Sequence, residues 1–366
     1  FSGFAAPAVA QRLQDGEVKV VLTADGTLRR GKVVAMKEVV DEAVAESPSV
    51  EHVLVWSRLG RDDVPMTPGR DLTWDEALAG TSGTLPHVEL DSESSYMVIY
   101  TSGTTGKPKG IHHVTGGFLV SIAREVCYHG DCGPGDVLHY VSDLGWIMGP
   151  WAVVGGNALG ATVVYGEGAP DWPEPDRLWR ICADENVTIL GVSPTLVRSL
   201  VPYGAELPAR HDLSALRVFV TAGEPWNPDP YLWLHEHVGG GRVPIVNCSG
   251  GTEVASCFLS PAPVMPIKTC SLGYPVLGMA VDVVDDEGNP VRGQLGELVC
   301  RRPFPGMTRG FWRDRERYLE AYWQRIPGLW VHGDWASIDE DGYWYLHGRS
   351  DDTLKVAGKR LGPAEL

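Results

Sequence analysis

The chain has 366 residues with 31 basic and 47 acidic side chains, a net charge of −16, and 43% hydrophobic residues. That much apolar material excludes global disorder and builds a sizeable core, in one large domain or in two to three ordinary ones. The acidic balance excludes a general nucleic-acid or anionic-membrane surface, but not nucleotide binding, which needs only local positive groups.

Residues 1–60 alternate helix and strand. Pro7–Gln14 and Val34–Ala45 read as helices, and Val18–Thr23 and Val53–Trp56 as strands, the rhythm of parallel α/β layers. The first residue falls inside such a unit, so the chain is expected to be cut from a longer protein. No basic region followed by an apolar core marks a signal peptide. Residues 60–92 are polar and turn-rich, with a short helix at Trp74–Ala79.

Next, an apolar strand at Tyr96–Tyr100 breaks into Tyr100–Gly110, YTSGTTGKPKG. Glycine allows a sharp turn, and the turn offers backbone N–H groups and hydroxyls to an anion. Lys107 and Lys109 add charge, so the expected ligand is a polyphosphate. Pro108 after Lys107 breaks the Walker pattern GxxxxGK[ST] and sets a P-loop NTPase aside.

A helix is expected at about Gly117–Tyr128. Leu144–Gly166 is uncharged for 23 residues, but its glycines favour a helix, a turn and a buried strand (Ala161–Tyr165) over a membrane span. From 137 to 247 the βα rhythm continues. Strands are expected at Val137–Tyr140, Val187–Val192, Val218–Thr221 and Pro244–Asn247, with helices at Pro175–Glu185, Pro194–Val201 and Pro228–His237. His235-Glu-His237 reads as a polar helix face. After 275 the pattern turns to short strands: Val281–Val284, Glu297–Cys300, Leu329–His332 and Tyr343–Leu346. The fold class expected is α/β: a layered body of two βα sheet subdomains with a smaller β-rich, barrel-like one. Seven cysteines (127, 132, 182, 248, 257, 270 and 300) are scattered without a CxxC pair, which fits a reducing, cytoplasmic setting and argues against a zinc site.

Four further stretches stand at strand ends, where open α/β sheets place ligands. Thr221-Ala-Gly-Glu-Pro225 is a rigid turn suited to a flat ligand. Asn247-Cys-Ser-Gly-Gly-Thr-Glu253 offers backbone, a hydroxyl for a phosphate oxygen, and a carboxylate for Mg²⁺. In Val331-His-Gly-Asp-Trp335 the Asp can accept from both hydroxyls of a ribose. Gly348-Arg-Ser-Asp-Asp352, with Gly358-Lys-Arg360, supplies Arg349 and Arg360 for charge-assisted bonds. Read singly, each of these is also an ordinary turn or charge cluster.

Together, and in this order, the stretches resemble the adenylate-forming superfamily of acyl-CoA synthetases, firefly luciferase and peptide-synthetase adenylation domains. Gly116-Gly117, Leu144-Gly-Trp146, Trp172-Pro-Glu-Pro-Asp176 and Arg302-Pro-Phe-Pro-Gly-Met307 are similar to the acetyl-CoA synthetase branch. The resemblance implies an AMP-forming ligase using ATP, Mg²⁺ and CoA. Carboxylate and ATP give acyl-AMP and pyrophosphate, and CoA then gives acyl-CoA and AMP. It implies that Thr101, Ser102, Gly103, Thr104, Thr105, Gly106, Lys107 and Lys109 cover the β/γ-phosphates. Gly223, Glu224 and Pro225, with Asn247, Cys248, Ser249, Gly250, Gly251 and Thr252, surround adenine and α-phosphate. Glu253 binds the metal, Asp334 and Arg349 hold the ribose, and Arg360 approaches the phosphate; Thr252, Glu253 and Arg360 form the catalytic set. Asp351 is the implied hinge between an adenylation domain (1–350, incomplete at its N-terminus) and the start of a lid (351–366). Ala357 and Gly358 line the CoA tunnel. The partners implied are a small carboxylic acid, ATP and CoA.

Two departures from the family pattern matter. The chain stops at Leu366, before the lysine-bearing lid, so adenylation by these 366 residues alone is expected to be weak or absent. Acetyl-CoA synthetases carry Trp-Trp-Gln-Thr-Glu where this chain has Ser249-Gly-Gly-Thr-Glu253. Gly250 replaces the Trp that closes their acyl pocket, and Ala222 replaces Val, while Ile147 and Met148 beside Trp146 refill part of the room. The expected substrates are short- to medium-chain acids longer than acetate, with Gly250→Trp restoring acetate. Transfer to a carrier protein, or a non-catalytic ATP/AMP-binding module, are the alternatives.

Overall fold

The computed structural model describes residues 3–81, 83–101 and 108–350, and the backbone of 354–356 and 359–361. Near the N-terminus, strands Val20–Ala24, His52–Trp56 and Asp71–Thr73 form a parallel sheet. Helices Ala6–Asp15 and Met36–Ala45 pack on it through Ala10, Ala43 and Val53. An unanticipated hairpin, Thr27–Arg29 with Lys32–Val34, precedes the second helix, which therefore starts at Met36 instead of Val34.

The central sheet is parallel and five-stranded, in the order Ile245–Asn247, Val218–Thr221, Ile189–Val192, Val137–Tyr140, Thr162–Val164. Alternate residues serve opposite faces, as a strand's two-residue period requires. Val218, Val220 and Val246 join the core beneath helices Thr115–Tyr128 and Met148–Ala158, with Phe118, Ile122 and Trp151. Phe219 and Ile245 join a second core with Leu178, Trp179 and Val197 from helices Arg177–Asp184 and Pro194–Leu200. Burial on both faces explains why these strands read as continuous apolar runs. Helix Met148–Ala158 is 11 residues long, and no helix among the described residues is long and apolar enough to cross a membrane.

The β-rich part is a four-stranded antiparallel sheet in the order Val281–Val284, Gly296–Cys300, Trp330–Ile338, Trp344–Arg349. Two smaller antiparallel sheets join it to the body. One combines Ser249–Gly250, Cys257–Ser260 and Tyr274–Pro275; the other combines Gly310–Phe311, Lys109–Val114 and Ser95–Thr101. The strands flanking 102–107 thus pair with each other, Thr101 opposite Lys109. The glycine-rich stretch leads into a strand, and the helix begins only at Thr115. Beyond Arg349, Leu354–Val356 pairs antiparallel with Lys359–Leu361, with Lys355 opposite Arg360.

Candidate active site

A cavity of about 780 Å³ opens where the central sheet's C-terminal edge meets the β-rich part. Its wall includes Gly223, Glu224, Pro225, Asn247, Cys248, Ser249, Gly250, Gly251, Glu253, Asp334 and Arg349. Residues from three of the separated sequence stretches and the end of the last strand therefore meet at one place.

Each element is fixed by bonds behind the wall. The turn after Val218–Thr221 passes through Gly223 at φ +108°, a conformation that L side chains rarely adopt. Glu224 then reaches back: Thr195 N–H donates to its Oε1 at 2.9 Å, and Arg198 pairs with its other oxygen. The buried Thr221 hydroxyl accepts from Trp226 Nε1 at 2.9 Å and donates to Asn247 Oδ1 at 3.3 Å. Asn247 Nδ2 donates in turn to the carbonyls of Cys270 and Ser271, both at 3.3 Å. The ends of two neighbouring strands are locked at a common height.

Glu253 stands at the start of a short 3-10 turn, Thr252–Val254. Its carbonyl accepts from Thr308 N–H at 2.9 Å, and the Thr252 carbonyl is 2.7 Å from His113 Nε2. Burial pulls His113 down to about 4, so its ring is neutral at physiological pH and Nε2 donates. The Glu253 carboxylate accepts from the Tyr322 hydroxyl. Desolvation pushes its titration up, but His332, the Tyr322 hydroxyl and Lys109 outweigh that, and the net shift is downward. Tyr322 is held for the task by stacking on buried Trp330, centroids 4.2 Å apart and planes within 4°. Burial, then the Glu253 charge, drives its phenol far upward, so it stays a donor. Lys109 Nζ lies 3.5 Å from the same hydroxyl. The end of the glycine-rich stretch and the SGGTE stretch are therefore joined through Tyr322. Thr101 Oγ1 is buried without a hydrogen-bond partner among the described residues.

Asp334 and Arg349 face each other across paired strands, their side chains 3.5 Å apart, and His332 Nε2 is 3.6 Å from Asp334. The same Nε2 lies 3.3 Å from the Gly250 carbonyl, while Trp330 Nε1 donates to Nδ1 at 3.4 Å.

Gly250 changes the account of the acyl pocket. A Cβ there would lie 2.1 Å from the Ser256 carbonyl oxygen and 2.7 Å from Cys257 Cα. The glycine is required by a close backbone approach across the strand pair, and a side chain at 250 would point at that backbone instead of into the cavity. The expectation that Gly250→Trp would simply close a pocket is therefore corrected. Gly250→Ala is expected to cost about 1–3 kcal/mol by overpacking, read from the chemical-denaturation midpoint. An unchanged midpoint would show that the strand pair yields without penalty. Ile147, Met148 and Ala222 pack against the central core, and Trp146 is 50% exposed; none of the four lines the cavity. Nor does Thr252. Ser102, Gly103, Thr104, Thr105, Gly106, Lys107, Asp351, Ala357 and Gly358 lie outside the described residues, as does the side chain of Arg360.

Several wall residues carried no sequence signal: Arg198, Tyr322, Tyr345 and His347 among them. His332 sat inside the HGDW stretch, where only the Asp drew attention. The His235-Glu-His237 pair is used structurally, with His235 Nδ1 3.1 Å from the Val243 carbonyl and the His237 ring against Trp233.

Residues 1–312 match the AMP-binding enzyme family. An acetyl-coenzyme A synthetase of Pyrobaculum arsenaticum is 45% identical over 374 residues, covering 100% of this chain and 56% of that protein. One from Methanothrix thermoacetophila is 42% identical, with 100% and 56% covered. The solved structure of an acetoacetyl-CoA synthetase from Streptomyces lividans superposes with a TM-score of 0.90 at 34% identity, covering 99% of this chain and 55% of that one. The chain thus spans little more than half the length of these relatives. With the family match running from the first residue through the glycine-rich stretch, the Gly223–Pro225 turn and the SGGTE stretch, the chain belongs to the AMP-binding enzyme family.

Proposed function

We propose that this chain supplies the adenylation site of an AMP-forming acyl-CoA synthetase, an acid–thiol ligase. The observation that carries the reading is the meeting of Gly223–Pro225, Asn247–Glu253, Asp334 and Arg349 around one cavity of about 780 Å³, a volume in the range of nucleotide-sized ligand sites. The printed names of the relatives, acetyl- and acetoacetyl-CoA synthetases, support the same chemistry.

In this reading the carboxylate oxygen of the acid attacks the α-phosphorus of ATP, and the bond to the pyrophosphate oxygen breaks. The CoA thiolate then attacks the acyl carbon and AMP leaves. The chain's contribution is positioning and charge. The turn at Gly223–Pro225 holds adenine. Asp334 accepts from the ribose hydroxyls, oriented by Arg349. Lys109 and Thr101, with residues 102–107, hold the phosphates that leave. Thr252 and Arg360 attend the α-phosphate. One ionised carboxylate, Glu253, beside space for phosphate oxygens and waters fits a hard cation. Bound there, Mg²⁺ would neutralise phosphate charge. Asp351 is assigned as the hinge between the body, 1–350, and a lid beginning at 351–366, and Ala357 and Gly358 as the CoA tunnel. Seven free cysteines support a cytoplasmic setting.

For the acid, we infer a short- to medium-chain substrate longer than acetate. The support is Ser249 on the cavity wall, where the acetyl-CoA synthetase pattern carries a bulky indole. Across a C2–C8 acid series, kcat/KM in the full-length protein is expected to peak above C2. Each buried methylene is worth ~0.8 kcal/mol, enough for a several-fold preference per carbon. Acetate as the clear best substrate would end this assignment while leaving the adenylation reading intact. Acid-dependent exchange of pyrophosphate into ATP tests the chemistry itself, and a full-length protein without it does not adenylate.

A further inference from the structure

Behind the cavity wall, Glu125, Cys248 and Cys257 bring one carboxylate oxygen and two sulfurs within 4.8 Å of one another. None of the three is more than 4% exposed. They come from three elements: helix Thr115–Tyr128, the residue after strand Ile245–Asn247, and the first position of strand Cys257–Ser260. The carboxylate is already oriented. Trp151 Nε1 donates to Oε1 at 3.0 Å and the Cys257 N–H to Oε2 at 2.5 Å. Arg124 stands 4.0 Å away and offsets part of the charge. Cys248 also lines the cavity, which supplies a route in from solvent.

Two thiols and one carboxylate in this arrangement suit a borderline-soft cation. Zn²⁺ accepts sulfur and oxygen donors with a fourth position left for water, whereas oxygen-seeking Mg²⁺ would not choose the sulfurs. We propose that Glu125, Cys248 and Cys257 form a binding site for a thiophilic divalent cation of the Zn²⁺ class, separate from the Mg²⁺ position at Glu253. An ion there ties the helix to both strands and, through Cys248, stiffens the Ser249–Glu253 stretch.

Cys257 is hydrogen-bonded to Cys248 and buried, and both effects hold its proton on. Binding as thiolates releases thiol protons to solvent. The sequence alone argued against zinc because no two of the ligands share a recognisable spacing.

The test is titration of the reduced chain with Zn²⁺ alone, in competition with a chromophoric chelator, followed by X-ray absorption of the complex. The expected result is one ion per chain with two sulfur neighbours at about 2.3 Å and oxygen in the remaining shell. Cys257→Ser is expected to lose one sulfur neighbour and at least about 100-fold in affinity, while Cys127→Ser, in a cysteine outside the cluster, changes neither. If Cys257→Ser does not fold, Glu125→Gln must instead retain both sulfurs and lose affinity. No stoichiometric binding by the wild type, a shell without sulfur, or two sulfurs surviving Cys257→Ser would overturn the site.

Discussion

Glu253→Gln is expected to lower acid-dependent pyrophosphate exchange by about 100- to 1,000-fold in the full-length protein, the loss typical when one preorganised charge is taken from a phosphoryl or acyl site. The substitution keeps the shape and an oxygen for the Tyr322 hydroxyl, so the fold should survive. What it removes is the one carboxylate on the wall that Tyr322, His332 and Lys109 together hold ionised. The other acids there are engaged differently: Glu224 with Arg198 and Thr195, Asp334 with Arg349. The loss should fall on kcat and on the Mg²⁺ concentration needed, with little change in KM for the acid. Exchange within threefold of wild type would mean that Glu253 is a bystander.

The second large effect is on stability. Lys37→Met is expected to destabilise the N-terminal lobe by about 3–5 kcal/mol, because it breaks a buried ion pair and leaves the partner charge behind. Lys37 is fully buried in the helix Met36–Ala45. Its Nζ sits 2.7 Å from Asp41, 2.8 Å from Asp71 and 2.9 Å from the Pro65 carbonyl. Asp71 is also paired with Arg70 at 2.5 Å. Burial raises the Asp71 carboxyl, but Arg70, Lys37 and the Thr67 N–H outweigh it and bring it to about 2. A folded value below the unfolded one contributes stability above the unfolded value and loses it as the pH falls toward 2. Wild-type denaturation midpoints should therefore fall between about pH 4 and 2, and this part of the fall should be smaller in Asp71→Asn. A Lys37→Met midpoint equal to wild type would remove the ion pair from the account.

Much of the body was legible because its signals are local. Val218–Thr221 and Val281–Val284 appear where their apolar runs end. The helix that begins at Thr115 was placed two residues late, and the strand Lys109–Val114 before it was missed. Its Lys-Gly start and paired histidines hide the strand pattern, and only pairing with Ser95–Thr101 and Gly310–Phe311 defines it. The helix Arg315–Trp323 was also missed, and with it Tyr322, the donor to Glu253. A tyrosine 69 residues from its partner leaves no local trace. Gly250 illustrates the opposite error. The substitution was visible, but its reason, contact with the Ser256 carbonyl, belongs to a strand pair that the sequence does not announce.

The most direct test is calorimetric titration of the 366-residue chain with a hydrolysis-resistant acyl-adenylate analogue, beside Asp334→Asn. Saturable one-to-one binding by the wild type is expected, weakened at least about tenfold in the variant through loss of a charge-assisted bond to the ribose. No binding, or equal affinity in both proteins, would mean that Asp334 and the cavity beside it do not hold an adenylate.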